Sequence, residues 1–346
     1  MPPARNPPFT ITPQILGQVA ECCERIGAWR GGREVPLPPQ LRRENRIRSI
    51  QASLAIENNT LSVDQVTAIL EGKRVIGLPR EIQEVKNAIA CYDRISEFNP
   101  GSTADFLAAH GILMQALADD AGILRSGGVG VYREGELVHM APPAERVSEL
   151  VAGLLDWLGQ TDLHPLIASS ILHYEIEFIH PFSDGNGRMG RLWQTLSLSR
   201  WKPELAFLPV ESVIRDHQAE YYRALGEADR RGDAAPFAEF ILGAISETLA
   251  EQGATDYVGD HVSDYVKFLI QAFQTESEKL TLEDLLGRLR LRHKPSFRKN
   301  YLHPALKNSL VEMTDPASPR SPRQGYRLTA TGKRIRGSLS LKPKGQ

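Results

Sequence analysis

Between Asn45 and Ile245 apolar residues return at helical spacing in segment after segment, and a chain patterned this way buries them by stacking helix on helix. Asn45 to Asn58 carries Ile47, Ile50 and Leu54 on one face and stops at Asn58-Asn59. Arg80 to Phe98 sets Ile82, Val85, Ile89, Tyr92 and Ile95 on one side and then meets the stop Asn99-Pro100-Gly101. Thr103 is placed to cap a helix that runs to about Ala118. Another follows Pro142-Pro143, with Val147, Leu150, Val151, Leu154 and Leu158 as its buried stripe. Ile167, Ile171 and Phe178 continue the pattern to His180, and Phe237, Phe240, Ile241 and Ile245 resume it after Asp233. Core packing accounts for nearly all of these stripes. One stretch departs from them: Val129 to Met140 is short, with Gly135 between two strand-like runs, the pattern of a β-hairpin. The fold class expected is all-α with that one small hairpin in the main body.

The tail is a different kind of sequence. From Lys279 to Gln346 there are 16 Lys and Arg against 4 Asp and Glu, a net of +12, which leaves 25 against 38, a net of −13, for the rest. An acidic body joined to a basic tail points to two modules with different partners, and 346 residues suffice for both. A helix is predicted from His261 to Phe273, and a second from Thr281 to Leu289 opens with the near capping box Thr-x-x-Asp. A third starts at Pro295-Ser296 and offers Phe297, Tyr301, Leu302 and Leu306 for packing. Val311 to Thr314 and Tyr326 to Thr329 then read as two strands around a loop rich in Pro, Ser and Arg. Three helices and a hairpin in that order predict a winged helix-turn-helix.

No run approaches 18 consecutive apolar residues, so no membrane partner is expected. Met1 to Phe9 is proline-rich without an apolar signal core, so no secretory segment is expected either. Cys22, Cys23 and Cys91 form no CxxC pair, and no HxxxH or HExxH spacing occurs, so His110, His139, His173 and His217 attract no zinc role. A reduced, cytoplasmic protein fits this usage best. Cys22-Cys23 reads most simply as a buried helix position.

Chemistry concentrates in twelve residues: His180-Pro181-Phe182-Ser183-Asp184-Gly185-Asn186-Gly187-Arg188-Met189-Gly190-Arg191. They begin where an apolar helix ends and lead through a glycine-rich turn into another helix. Gly185 and Gly187 let successive N–H groups point inward, and the following helix adds its positive end, which together make an anion site. Arg188 and Arg191, three apart, share a helix face and can fork onto phosphate oxygens. Asp184 is a hard oxygen ligand suited to Mg²⁺, which binds through a carboxylate plus phosphates and waters. His180 can take a proton near neutral pH. Base, metal ligand, anion nest and two cations together describe nucleotidyl or phosphoryl transfer. Each alone has a bland explanation; all within one turn do not.

The segment matches the signature HPFx(D/E)GNGRxxR at every specified position, and the chain thereby resembles the Fic family over roughly residues 40 to 250. Arg125, the Val129 to Met140 hairpin and Pro142-Pro143 resemble that family's flap and the helix after it. His164-Pro165 resembles the start of the helix leading to the motif, and Tyr221-Tyr222 through Gly232-Asp233 the stretch that closes the nucleotide pocket. The resemblance implies a Fic helical core with its flap. It implies an activity too: AMP is moved from ATP to a protein Tyr, Thr or Ser hydroxyl, with release of pyrophosphate. His180 would be the base, and Asp184 would hold Mg²⁺ between the α- and β-phosphates. Gly185, Asn186 and Gly187 would cradle those phosphates, Arg188 and Arg191 the β/γ end. Tyr222 would border the adenine, Phe182 would anchor the loop in the core, and Val138, His139 and Met140 would dock the target as an added strand.

Upstream, Ser53-Leu54-Ala55-Ile56-Glu57-Asn58 resembles the family's inhibitory pattern (S/T)xxxE(G/N). Glu57 would pair with Arg191, supported by Ser53, in the space the γ-phosphate needs, an interaction worth roughly 1.5–3 kcal/mol. The division expected is an N-terminal segment 1–40, a core 41–252 with the inhibitory helix 45–58, a connecting helix 253–275 and a winged-helix domain 276–346. Two other readings stay open. Glu57 could position water for removal of AMP. Alternatively the core could be a sensor in a DNA-binding regulator, with Arg288, Arg290, Arg292, Lys294, Arg298 and Lys299 around the expected turn and third helix as the basic surface; such a tail also suits protein docking. The implied partners are ATP, a target protein and, by self-modification, the chain itself. Homodimerisation is left open.

Overall fold

The computed structural model describes residues 6–30, 37, 39–133, 136–259, 264–275, 278–291, 293–307, 310–315, 321, 324–329, 331–333 and 336. The chain divides into two compact units, 1–249 and 250–346. Its architecture is mostly helical with small antiparallel sheets.

The first unit holds α1 (Pro13–Arg30), α2 (Pro39–Ile56), α3 (Val63–Leu70), α4 (Pro79–Asp93) and α5 (Thr103–Leu113). The hairpin β1 (Gly130–Arg133) and β2 (Glu136–Met140) follows, antiparallel and with a register shift between Val131 and Tyr132. Gly135, read as the hairpin's break, lies outside the described residues. Then come α6 (Ala144–Gln160), α7 (Pro165–Ile179), α8 (Asn186–Trp201), α9 (Val210–Asp216), α10 (Gln218–Arg231) and α11 (Ala235–Gly259), within which the unit boundary falls. The pair α7 and α8 is central, and most positions of each are buried all round, as a core helix requires. Sequence signals set α7 well: His164 caps it, Nδ1 accepting from Leu166 N–H at 3.3 Å, and Pro165 fills its first position.

Several boundaries shift from expectation. α2 starts at Pro39, not Asn45, because the charged run before Asn45 hides the helix while a proline suits its first turn. The cap of α5 is Ser102, whose hydroxyl accepts from Asp105 N–H; Thr103 is already helical. Cys22 is buried and Cys23 exposed, since consecutive helical residues point roughly 100° apart.

The second unit has its own core of Val266, Leu269, Ile270, Phe273, Leu285, Phe297, Leu302, Tyr326 and Leu328. α12 (Asp264–Gln271) precedes β3 (Leu280–Thr281) and α13 (Leu282–Arg288), which opens with the full Thr281–Asp284 capping box. His261, where the first tail helix was expected to start, and Arg292 lie outside the described residues. Lys294–Phe297 (α14) continues through a π-turn at Arg298–Leu302 into α15 (His303–Lys307). β4 (Val311–Met313) and β5 (Gly325–Leu328) then form a sheet in the order β3-β5-β4. The third strand escaped sequence reading because two residues carry no alternation.

Candidate active site

The site is the turn 180–185 that joins the two central helices. His180 ends α7 in the left-handed conformation, φ 50° and ψ 61°. An L-residue holds this only at a cost of about 1–2 kcal/mol, so the surrounding bonds must impose it. Its Nδ1 lies 3.3 Å from Glu177 O. A carbonyl only accepts, so Nδ1 carries the proton and Nε2 keeps a free lone pair. Burial pushes the imidazole below its usual pKa, helped by the charges of His139 and Arg125 and opposed by Glu177. The group is therefore a neutral acceptor with its tautomer fixed.

Phe182 is fully buried, stacked face to face on His110 at 3.5 Å and against Phe106. Asn186 ties the turn to itself: Oδ1 accepts from Phe182 N–H and Nδ2 donates to Phe182 O, both at 2.9 Å. Its side chain is thus spent on the loop, and what it can offer an anion is its N–H. Gly185 sits at φ 83°, and a Cβ there would stand 2.8 Å from Met114 Sδ, so the turn needs glycine. No side chain caps the start of α8. The N–H groups of its first turn have no intrahelical acceptors, and that end of the helix carries partial positive charge.

Arg188 and Arg191 flank this opening but serve different partners. Arg188 is 6% exposed; Nη2 meets Asp184 Oδ1 at 3.0 Å and Nη1 lies 3.7 Å from Glu84, while Nε is buried with no partner among the described residues. Asp184 Oδ2 faces Arg80 Nη2 at 3.1 Å, and half of its side chain is in solvent. Arg191 is 2% exposed, and Nε and Nη2 are both engaged: Nε donates to Ser53 Oγ at 3.0 Å, Nη2 to Ser53 O at 3.0 Å and to Glu57 Oε1 at 2.7 Å. Burial works against the guanidinium's charge, but Glu57 overrides it and holds the pKa well above the ordinary value. Glu57 stands one residue past the end of α2, and Asn58 after it adopts φ 67°. That left-handed position explains a pattern in which Gly or Asn follows the glutamate. A Cβ on Gly187 would lie 2.3 Å from Glu57 Oε1. The pairing of Glu57 with Arg191 was the expectation from sequence; the structure brings Ser53, Glu57 and Arg191 together at the mouth of α8.

Three contributors carried no sequence signal strong enough to single them out. Glu177 is a carboxylate beneath the opening; Tyr221 donates to its Oε1 at 3.0 Å, and His173 Nε2 is 3.8 Å away. His110 accepts from Gly122 N–H at Nδ1 (2.9 Å), so its Nε2–H donates to Asp184 O at 3.0 Å. Arg80 reaches Asp184 from α4. Tyr222 is half-buried against Tyr221, and Glu57 helps burial raise its pKa.

Of the hairpin residues, Met140 is 64% exposed, and the side chain of Val138 lies outside the described residues. His139 turns inward. Its Nε2 is 2.8 Å from Phe178 O and its Nδ1 2.8 Å from Asp229 Oδ2. With an acceptor at each nitrogen the ring favours its charged form: burial pulls the pKa down, and the Asp229 carboxylate and Phe178 carbonyl more than offset it.

Comparison with known proteins agrees with this geometry. Residues 100–198 match the Fic/DOC family, and residues 264–329 match the C-terminal domain described as "Filamentation induced by cAMP protein Fic-like". The protein adenylyltransferase fic-1 of Caenorhabditis briggsae is 34% identical over 215 residues, which cover 58% of this chain. The match spans 40% of that protein, so the chain corresponds to well under half the length of such relatives. A crystal structure of a Fic family protein from Desulfovibrio desulfuricans G20 is 56% identical, covers 94% of this chain and 99% of its own, and superposes with a TM-score of 0.70. A fragment of Fic-1 from C. elegans is 26% identical over 70% of this chain and 73% of its own, with a TM-score of 0.57.

Proposed function

The chain belongs to the Fic family, and we propose that it transfers AMP from ATP to a protein hydroxyl, held back by its own Glu57. The observation that carries this reading is a single juxtaposition. A neutral imidazole whose Nδ1 is taken ends one central helix, the next helix starts after the same turn without a side-chain cap, and an intramolecular carboxylate sits on Arg191 of that helix. His180 Nε2 takes the proton of the target hydroxyl, whose oxygen attacks the α-phosphorus as the bond to pyrophosphate breaks. The N–H groups of Asn186 and Gly187, with Arg188, hold the phosphates in line for that attack. Arg191 takes the γ-phosphate once Glu57 has left it. Protein adenylyltransferase is also the printed description of the worm relative.

Among the described residues no group of three or more His, Cys, Asp or Glu could hold a metal. A single half-exposed carboxylate still fits Mg²⁺, which completes its octahedron with phosphate oxygens and water. Asp184 would hold the ion, which when bound would neutralise phosphate charge. Arg80 and Arg188, now on that carboxylate, would give it up or share it. Intact-mass analysis after incubation with Mg²⁺ and ATP tests the reading. A gain of one AMP on Glu57→Gly protein, absent from the same protein carrying His180→Ala, is expected. A gain that is phosphate, or that survives loss of His180, overturns it. Among the described cations of the second unit, Arg288, Lys294 and Arg327 are paired with Glu278, Glu283 and Glu312.

A further inference from the structure

A helix leaves its last carbonyls without partners inside the helix, and around the end of α7 five consecutive carbonyls are taken in series. Glu177 O faces His180 Nδ1, and Phe178 O accepts from His139 Nε2. Ile179 O accepts from Arg125 Nη2 at 3.2 Å, His180 O from Arg125 Nε at 2.6 Å, and Pro181 O from the backbone N–H of Arg125 at 3.0 Å. The same guanidinium continues outward. Its Nη1 donates to Gly127 O at 2.8 Å and its Nη2 to Pro142 O at 2.7 Å. Gly127 lies just before β1 and Pro142 just after β2, so one side chain holds both roots of the hairpin and the turn that carries His180.

Arg125 is 5% exposed and makes no ion pair among the described residues; its charge is met by backbone carbonyls alone. A buried cation is costly unless fully hydrogen-bonded, and only the planar fork of arginine reaches acceptors on several sides at once. A lysine presents its donors from one point. We infer that Arg125 is a positioning residue for the reaction, fixing the hairpin to the base so that an acceptor laid along the hairpin meets His180 in register. This rests on the assignment of His180 as the base. Arg125 itself touches neither nucleotide nor acceptor in that scheme.

The test uses the full chain with Glu57→Gly, and adds Arg125→Lys or Arg125→Gln. Three readouts separate positioning from mere support: amide exchange of residues 127–142, the ATP dissociation constant by calorimetry, and the rate of AMP transfer across pH. In both variants hairpin exchange should rise at least tenfold while α7 and α8 keep their protection. ATP affinity should stay within threefold, and kcat should fall thirtyfold or more. Burial and three groups set the charge state of His180: Glu177 on α7, His139 on β2 and Arg125. Arg125→Gln removes a cation that opposes protonation, so its acid limb should move to higher pH; Arg125→Lys should keep the limb and still be slow. If ATP affinity falls in step with kcat, or hairpin exchange is unchanged, the inference is wrong. If Glu57→Gly protein transfers no AMP at all, the base assignment fails first, and the exchange data still report whether Arg125 ties the hairpin down.

Discussion

The two ends of the turn 180–185 are finished in opposite ways. At the α7 end every carbonyl from Glu177 to Pro181 has a donor, one residue adopts a costly backbone conformation, and a buried arginine is spent on holding it. At the α8 end no side chain caps the helix, one arginine nitrogen is buried without a partner among the described residues, and two glycines let Met114 and Glu57 approach closely. A base must be held still, whereas an anion site must be left unsatisfied until its ligand arrives. The contrast teaches that rigidity and vacancy are placed within six residues of each other, and that the Glu57 carboxylate lies at the vacant end, on Arg191.

Breaking the rigid end at its chemical group should give the largest effect. His180→Ala is expected to lower transfer by about 10²–10⁴-fold, with ATP affinity by calorimetry unchanged because the phosphates lie at the other end. Equal transfer in the variant would remove His180 from the reaction. Next, Asp184→Ala should cost about 100-fold or more in Mg²⁺-dependent rate and, unlike the first variant, weaken ATP binding. Activity that is unaffected by EDTA would defeat it.

Freeing the vacant end sharpens the comparison from the other side. Glu57→Gly should raise self-labelling by roughly 10- to 150-fold, the equivalent of one charge-assisted hydrogen bond, and adding Arg191→Ala should cancel the gain. Glu57 lies beyond the last helical residue, so glycine costs the helix little, but it strips the buried Arg191 of its carboxylate and the melting temperature should fall modestly. Labelling no faster than the parent at saturating ATP would refute the inhibitory role. The smallest effect concerns His139. Its pKa is raised in the fold, so its stabilisation of the hairpin is complete below the ordinary value of about 6.5 and is lost as pH rises through the folded value. Asp229, Tyr174 through Asp229, and Glu177 are the groups facing it. Amide exchange of the hairpin, corrected for the intrinsic rate, should therefore quicken several-fold from mildly acidic to alkaline pH, and His139→Gln should flatten that rise.

Much of this was legible in the chain. Most helices of the body followed from periodicity, though α3, α9 and α10 were not read from it, and the turn announced itself because its residue types crowd into one local stretch. Ser53, Glu57 and Arg191 could be matched across more than a hundred positions only through a known pattern. What stayed hidden was set by contacts without local cause. Glu177 lies inside an apolar helical run, and its donor Tyr221 is 44 residues away. His110 reaches Asp184 across 74 residues and Arg80 across 104. Asn186 is polar in a phosphate-type loop, yet its side chain faces inward, a matter of rotamer that no spacing records. Ser102 and Thr103 are both cap residues by type, and only the chain's path decides between them.

At Gly187 the missing side chain leaves a space that the Glu57 carboxylate occupies, 2.7 Å from a guanidinium that is 1% exposed. Ion pairs on the surface, such as Arg94 with Glu97, weaken as salt rises because mobile ions enter between and around them. Here the arginine is buried although the Glu57 side chain is 35% exposed, and the contact is far shorter than the screening length of about 8 Å at physiological strength. Ionic strength is therefore a poor release signal for this contact. On the proposed reading Arg191 is freed by displacing the Glu57 carboxylate, through the γ-phosphate itself or a shift at the end of α2, more than by added salt.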